Sequence, residues 1–199
     1  MKILIPIFSI LFLSSCAMSP FSPTNSGRSY GPGNVHAEVG NANSTYHIKM
    51  GYGVTPDADA GAVIEFGDLA SMTLFVKYSL LNNETGPSIN IEYGYGSSDT
   101  ANYYYLGSTA SLAFSKEFEI FFNGRYNKVV TSDADYTLNT NIGNLKLTDY
   151  DVVYLQLTYG LNVWFSEGAG LSIYSTSFRG ENVETTQDST FGGSFIFNF

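Results

Sequence analysis

Apolar and polar residues alternate along most of the chain after Asn34. The segment MTLFVKYSL at 72–80 is a clear example, with an aliphatic or aromatic side chain at every second position. Alternate residues of a β-strand point to opposite faces, so this period predicts strands, and no helical period of 3.6 residues competes with it. Ten segments follow the pattern: 35–39, 46–52, 62–66, 72–80, 89–95, 104–114, 118–126, 153–165, 171–176 and 191–199.

The two faces of these predicted strands differ in composition. One face is aliphatic and aromatic, whereas the other is mostly Gly, Ser, Thr, Asn and Tyr, with one or two charged residues per strand. A soluble β-sandwich would place many more Lys and Glu residues on its outer face. The composition of the two faces fits a barrel better, with a narrow polar lumen and a lipid-facing exterior. The pattern predicts an all-β fold: a single antiparallel up-and-down transmembrane β-barrel over 35–199. Ten strands are preferred, and eight are the alternative because the segments near 35–41 and 60–68 are short.

The carboxyl-terminal sequence, FGGSFIFNF, carries the alternation to the last residue of the chain. Phe195, Phe197 and Phe199 would share one face of the last strand, while Ser194 and Asn198 would lie on the other. Chain ends are usually frayed and polar, so this ending needs an apolar environment.

The amino-terminal residues have the pattern of an export signal. Lys2 is followed by an apolar run that is too short for a membrane helix but suits a secretory signal. The run ends at Leu13-Ser14-Ser15-Cys16, which resembles the bacterial lipoprotein signal. That resemblance implies a signal peptide at 1–15 and acylation of Cys16, with Ala17 favouring the outer membrane. The alternative is an ordinary exported chain with an incidental cysteine.

Between the signal and the first strand, residues 16–34 are rich in Pro, Ser and Gly. This composition predicts a lipidated tether, flexible or extended, with no core to bury. The segments 128–148 and 180–188 are predicted to be long polar loops. The only cysteine in the sequence excludes an internal disulfide and a CxxC metal site.

The net charge of −9 gives no support to nucleic-acid binding, and only 14% of the residues are charged. This low charge, the alternating strands and the phenylalanine ending are together similar to those of one family. Over about 35–199, the chain resembles the small OmpA/OmpX-type outer-membrane β-barrels. The resemblance implies a bacterial outer-membrane location, outer-membrane lipid around the barrel and a monomer. It also implies that the barrel-assembly machinery reads Phe195, Phe197 and Phe199.

The charged and histidine residues on the polar face are expected to pair across the lumen as a structural network. They are His36, Glu38, His47, Lys49, Glu65, Lys77, Glu92, Glu119 and Arg125. Buried charges need partners, so this interpretation is preferred over catalysis.

Catalytic and metal-binding alternatives are weaker. Some barrels of this size are lipid-modifying enzymes that use His with Ser and an acidic residue. Here, however, no Ser stands in a nucleophile elbow and no His-x-Ser pair occurs. The pairs Asp57/Asp59 and Asp133/Asp135 lack the spacing of an EF-hand loop. We therefore predict no enzyme activity, no metal and no cofactor.

Three functions remain open. The first and preferred one is a structural or surface-interaction role through the external loops, with a ligand that the sequence does not name. The others are a narrow pore and a lipid-modifying enzyme, and a small barrel filled by its own side chains argues against a wide channel. A lipid-tethered soluble β-domain is the alternative to the transmembrane barrel itself.

Overall fold

The computed structural model describes residues 22–42, 45–67, 70–98, 101–131, 136–140, 143–147, 151–180, 183–184 and 189–199. For 131, 136–140, 143–147, 151 and 183–184 it describes the backbone alone. Within these ranges, no helix is long and apolar enough to cross a membrane.

Apart from the segment 22–34 and the short connections, the described residues form strands. In chain order they are β1 (Val35–Ala42), β2 (Thr45–Gly53), β3 (Ala58–Gly67), β4 (Ser71–Leu81), β5 (Gly86–Ser97), β6 (Ala101–Ala113), β7 (Phe118–Thr131), β8 (Tyr136–Thr140), β9 (Gly143–Leu147), β10 (Asp151–Ser166), β11 (Ala169–Arg179), β12 (Val183–Glu184) and β13 (Thr190–Asn198).

Ten of these strands close into one antiparallel barrel in the order β1-β2-β3-β4-β5-β6-β7-β10-β11-β13. Closure comes from β13 pairing with β1, in a register that places Val39 opposite Phe195 and Ala37 opposite Phe197. The main chains of Val35 and Phe199 exchange hydrogen bonds of 3.0 and 2.9 Å at the end of this pair. The predicted ten-stranded up-and-down barrel is confirmed, because closure by β1 and β13 leaves no open sheet edge.

The barrel has two different ends. Val35 and Phe199 lie at what we call the terminal end, together with the short connections 54–57, 82–85, 114–117 and 167–168. The opposite end, the loop end, carries the connections after β1, β3 and β5 and the two longest connections. Strands β8, β9 and β12 belong to those longest connections and pair with one another in a separate three-stranded sheet.

The segment 128–148, expected to be a polar loop, therefore contains strands. Its first residues extend β7 to Thr131, and β8 and β9 form a hairpin after it. Strand β12 of the other predicted loop adds to β9 through Val183 and Glu184. The sequence pattern missed these strands because they are short and polar.

Inside and outside alternate along the barrel strands as predicted. In β4, Val76 is 56% exposed whereas the neighbouring Lys77 is 2% exposed. The outer face is a continuous surface of aliphatic and aromatic side chains from every barrel strand. An apolar exterior of this kind needs a lipid environment, because soluble proteins rarely expose such large apolar patches.

Aromatic rings fill much of the lumen, and glycine on the adjacent strand makes room for several of them. A Cβ atom on Gly94 would lie 2.2 Å from the Tyr105 ring, and one on Gly96 would lie 2.4 Å from the Tyr103 ring. Both tyrosines are fully buried. Glycine at these two positions therefore makes space for a ring inside a narrow barrel.

Candidate functional site: a lumen occupied by the chain's own amino-terminal segment

The described part of the predicted tether, 22–34, is inside the barrel. Ser22, Thr24 and Asn25 are at most 4% exposed. From Asn34 at the terminal end, the segment follows the lumen to Ser22, which lies beside Glu65 and Arg125. The expectation of a free tether with no core to bury is wrong for these residues, because the polar lumen wall supplies hydrogen bonds that a flexible linker would otherwise take from water. Residues 16–21 lie outside the described part.

Seven consecutive main-chain carbonyls of this segment accept hydrogen bonds from side chains of the barrel wall. The donors are Arg125 to Ser22 (2.8 Å), Lys49 to Pro23 (3.0 Å), Thr109 to Thr24 (3.3 Å), Asn162 to Asn25 (2.6 Å), Asn90 to Ser26 (2.8 Å), Ser79 to Gly27 (3.1 Å) and Lys77 to Arg28 (2.8 Å). We call this set the carbonyl ladder. It satisfies a buried stretch of main chain that has no strand partner.

The acidic residues of the wall bind the donors of the same segment. Glu65 accepts from the Ser22 main-chain nitrogen at 2.9 Å, and Glu92 accepts from the Thr24 hydroxyl. Glu119 accepts from the Ser26 hydroxyl at 2.9 Å. These hydrogen bonds replace the water that the carboxylates would otherwise bind, so the wall and the segment satisfy each other's polar groups.

Further acceptor contacts lie near the terminal end. Asp59 accepts from the Ser29 hydroxyl at 2.7 Å and from the Tyr30 main chain at 3.1 Å. The guanidinium of Arg28 forms an ion pair of 2.9 Å with Glu119. The Tyr30 ring stacks on His36 with 4.4 Å between ring centroids. Lys77 Nζ lies 3.8 Å from the Tyr30 ring centroid. This end of the segment is held by charge and by stacking together.

Ion pairs of the lumen wall join residues on neighbouring or next-neighbouring strands. Arg125 pairs with Glu92 at 3.0 Å, and Lys77 pairs with Asp59 at 2.9 Å. Arg125 also lies 4.5 Å from the Tyr105 ring centroid, and the Tyr105 hydroxyl donates to Glu92 at 2.7 Å. The structure places all nine predicted residues in the lumen wall, but much of their bonding goes to the inserted segment.

The two histidines meet at Glu38, which is fully buried. His47 Nε2 lies 3.3 Å from Glu38 Oε1, and His36 Nε2 lies 3.8 Å from Glu38 Oε2. The Ser194 hydroxyl donates to the same carboxylate at 2.5 Å. A serine nucleophile would instead have to donate to a histidine, so this order of contacts is that of a buried polar cluster rather than a catalytic triad.

Asp59 belongs to the site, although the sequence pattern indicated it only as half of the Asp57/Asp59 pair, which was rejected as a metal site. It is 2% exposed and lies in β3, one residue inside the strand start. Extending the alternation of Ala62, Ile64 and Phe66 backward would have placed Asp59 on the inner face. Among the described residues, no group of three or more His, Cys, Asp or Glu is arranged to hold a metal ion. Asp133 and Asp135 lie outside the described residues.

The terminal phenylalanines lie on the outer face. Phe195 and Phe199 are largely exposed there, and Phe197 stacks on Phe199 with ring centroids 6.5 Å apart. The role of these three residues in assembly stays a prediction. Acylation of Cys16 also stays a prediction, because Cys16 lies outside the described part of the chain.

A cavity of about 820 Å³ opens at the terminal end, between the inserted segment and the nearby turns. An exposed ion pair of 2.6 Å between Lys116 and Glu84 stands at its edge. The hydrogen bond from Lys116 holds the pKa of the Glu84 carboxyl below its ordinary value. Arg28 also donates to the Glu84 main-chain oxygen at 3.2 Å, so this rim contacts the inserted segment.

No family model matches the chain, and no curated protein matches it. Solved structures do show similarity to it. The N-terminal β-barrel domain of OprF from Pseudomonas aeruginosa is 13% identical with a TM-score of 0.38, covering 83% of this chain and 96% of that domain. KdgM porin is 6% identical with a TM-score of 0.47, covering 83% of this chain and 99% of the porin. A de novo designed transmembrane β-barrel is 10% identical with a TM-score of 0.36, covering 84% and 97%.

Proposed function

We propose that this protein is a bacterial outer-membrane β-barrel with a structural or surface-interaction role and a lumen closed by its own amino-terminal segment. The observation that carries the proposal is the insertion of 22–34 into the lumen, where the carbonyl ladder holds it. A barrel occupied in this way has no free passage for solutes. Its contacts with other molecules are then made by the outer face and the two ends.

The terminal end faces the periplasm in this proposal, and the loop end faces the cell exterior. Outer-membrane barrels have short periplasmic turns and longer external loops, and the two longest connections of this barrel lie at the loop end. The connections after β1, β3 and β5 at the same end are short and do not contribute to this argument. The sheet of β8, β9 and β12 then projects from the cell surface. A short external sheet with a defined edge is suited to contact a surface partner.

A conductance measurement tests the closed lumen. Purified full-length protein in a planar lipid bilayer is expected to show no steady channel current in salt solution. A stable current from the intact protein would support the narrow pore instead. Lipid A mass spectrometry of a deletion strain addresses the enzyme alternative, for which we expect an unchanged lipid A profile.

Acylation of Cys16 completes the proposal. Cys16 precedes Ser22 by six residues, which span at most about 20 Å when fully extended. An acyl chain on Cys16 would therefore enter the membrane close to the barrel. Its contribution to membrane binding would be small beside the apolar outer face of ten strands.

Fatty-acid labelling of the Cys16→Ala variant tests this part. The variant is expected to lose the label while its barrel remains in the outer membrane and shifts on unheated gels. If Cys16→Ala appeared as a soluble periplasmic protein, the chain would be a lipid-tethered soluble β-domain. If the wild type took up no label, the ordinary export signal would be correct.

A further inference from the structure

The carbonyl ladder recognises main chain, which every peptide has. Its seven donors contact carbonyl oxygens from Ser22 to Arg28 without interruption, and none of these contacts depends on a particular side chain. A run of such bonds along one extended segment is how proteins bind peptides with high affinity and limited sequence preference.

Sequence preference enters at a few positions of the lumen. A Cβ atom on Gly27 would lie 2.5 Å from the main-chain oxygen of Ser88, so only glycine fits there. Small hydroxyl side chains are preferred at Ser26 and Ser29, which donate to Glu119 and Asp59. The site therefore fits an extended, small and polar peptide with glycine at one fixed position.

The wall also needs an occupant. Its buried acidic residues, Glu38, Asp59, Glu65, Glu92 and Glu119, outnumber its buried bases, Lys49, Lys77 and Arg125. The segment supplies main-chain carbonyls to all three of these bases and donors to all five of these acids. Emptying the lumen would remove those bonds from buried charges, which is costly unless water or another peptide replaces them.

We propose that the lumen is a binding tunnel for an extended peptide, that Ser22–Tyr30 is its resident ligand, and that a peptide of the same chemistry supplied separately can replace that segment. The connection between ligand and barrel is short and accessible. Pro32, Gly33 and Asn34 are exposed at the terminal end, before β1 begins at Val35.

The test starts from the full-length protein with a protease site inserted between Pro32 and Gly33. The protein is folded in detergent micelles with its segment in place and is then cut. We expect the released segment to remain bound during gel filtration. We also expect a fluorescent peptide with the sequence of 22–32 to replace it with saturable binding, measured by anisotropy.

Two peptide variants and two wall variants make the test specific. A Gly27→Val peptide is expected to bind at least about tenfold more weakly, because of the contact with Ser88. A Pro32→Ala peptide should bind like the native one, since Pro32 is exposed. In the wall, Asn162→Ala is expected to weaken binding about fivefold to tenfold through the loss of one carbonyl contact. Asn102→Ala, on the outer face of β6, should leave the affinity unchanged.

Bilayer recordings give an independent readout. When the cut segment has been exchanged for the weakly binding Gly27→Val peptide and that peptide has been removed by dilution, the protein should conduct cations in preference to anions. Acidic residues outnumber basic ones in the wall, which favours cations. Adding the native peptide should suppress the current. The proposal is overturned if the cut segment cannot be replaced, or if the Gly27→Val peptide binds as well as the native one. Neither result bears on the surface role, which the intact protein tests separately.

Discussion

The two faces of the same barrel strands follow opposite rules of burial. On the outer face of β4, Leu74 and Val76 are more than half exposed, whereas Phe75 and Lys77 between them are at most 3% exposed. In a soluble protein the aliphatic residues would be inside and the lysine outside. The comparison shows that the surrounding medium is apolar and that the polar interior is a true core, filled by wall side chains and by the inserted segment.

Removing a charge from the inner face should have the largest effect. Arg125→Met leaves Glu92 without its 3.0 Å ion-pair partner in the lumen, and the inserted segment loses two contacts with Arg125. We expect a loss of about 3–5 kcal/mol in the free energy of unfolding. Equilibrium urea unfolding from lipid vesicles measures it. The outward-facing control Leu106→Met should change stability by less than about 1.5 kcal/mol. Equal losses at the two sites would contradict the distinction between the faces.

Adding a charge to the outer face should have the second largest effect on the free energy of unfolding. Val76 is the middle residue of β4, and Val54 follows β2 at the terminal end. Val76→Arg should cost about 2–4 kcal/mol because it faces the middle of the bilayer, whereas Val54→Arg should cost about 0–1 kcal/mol near the interface. The same unfolding experiment compares them. If Val76→Arg proved harmless, the outer face would be in water.

Substitutions in the last strand, β13, test whether its outward-facing rings are needed for assembly of the barrel. Changing Phe197 and Phe199 to Ser together should reduce the folded, membrane-inserted amount several-fold, because these rings lie on the outer face of the strand that closes the barrel. Phe178→Ser should have a much smaller effect, since Phe178 packs edge-on against Tyr154 and is only partly exposed. Heat-modifiable migration of membrane fractions quantifies both. If both changes had similar small effects, the terminal phenylalanines would have no special role in assembly.

The smallest effect is expected at the exposed rim of the terminal end. Because Lys116 lowers the pKa of Glu84 in the folded protein, this pair stabilises the fold above the unfolded-state pKa of a glutamate. The contribution is lost as the pH falls through the lowered pKa. Acidification should therefore destabilise the wild type slightly more than Glu84→Gln, while Thr85→Ala should follow the wild type. Parallel pH curves for wild type and Glu84→Gln would show that the pair contributes nothing.

Much of the barrel could be predicted because its outer face follows a simple rule. Residues such as Ile48 and Leu74 face lipid at every second position, and the period alone identifies their strands. Strands β8, β9 and β12 escaped prediction because their sequences, YTLNT, GNLKL and VE, carry no sustained apolar alternation. Asp59 was missed for a related reason, since its neighbours Ala58 and Ala60 are too small to mark an outer face clearly.

The sequence by itself determined the barrel strands and their inner and outer faces, because each of these depends on residues that are near one another along the chain or on a repeated period. The choice of ten strands over eight came from the structure, since it depends on the pairing of β1 with β13. Only the tertiary structure decided what fills the lumen. Residues 22–34 are polar, small and rich in Pro and Gly, and this composition is equally typical of a free linker. Their burial depends on donors and acceptors as distant in sequence as Asn25 and Asn162, which the closed barrel alone brings together.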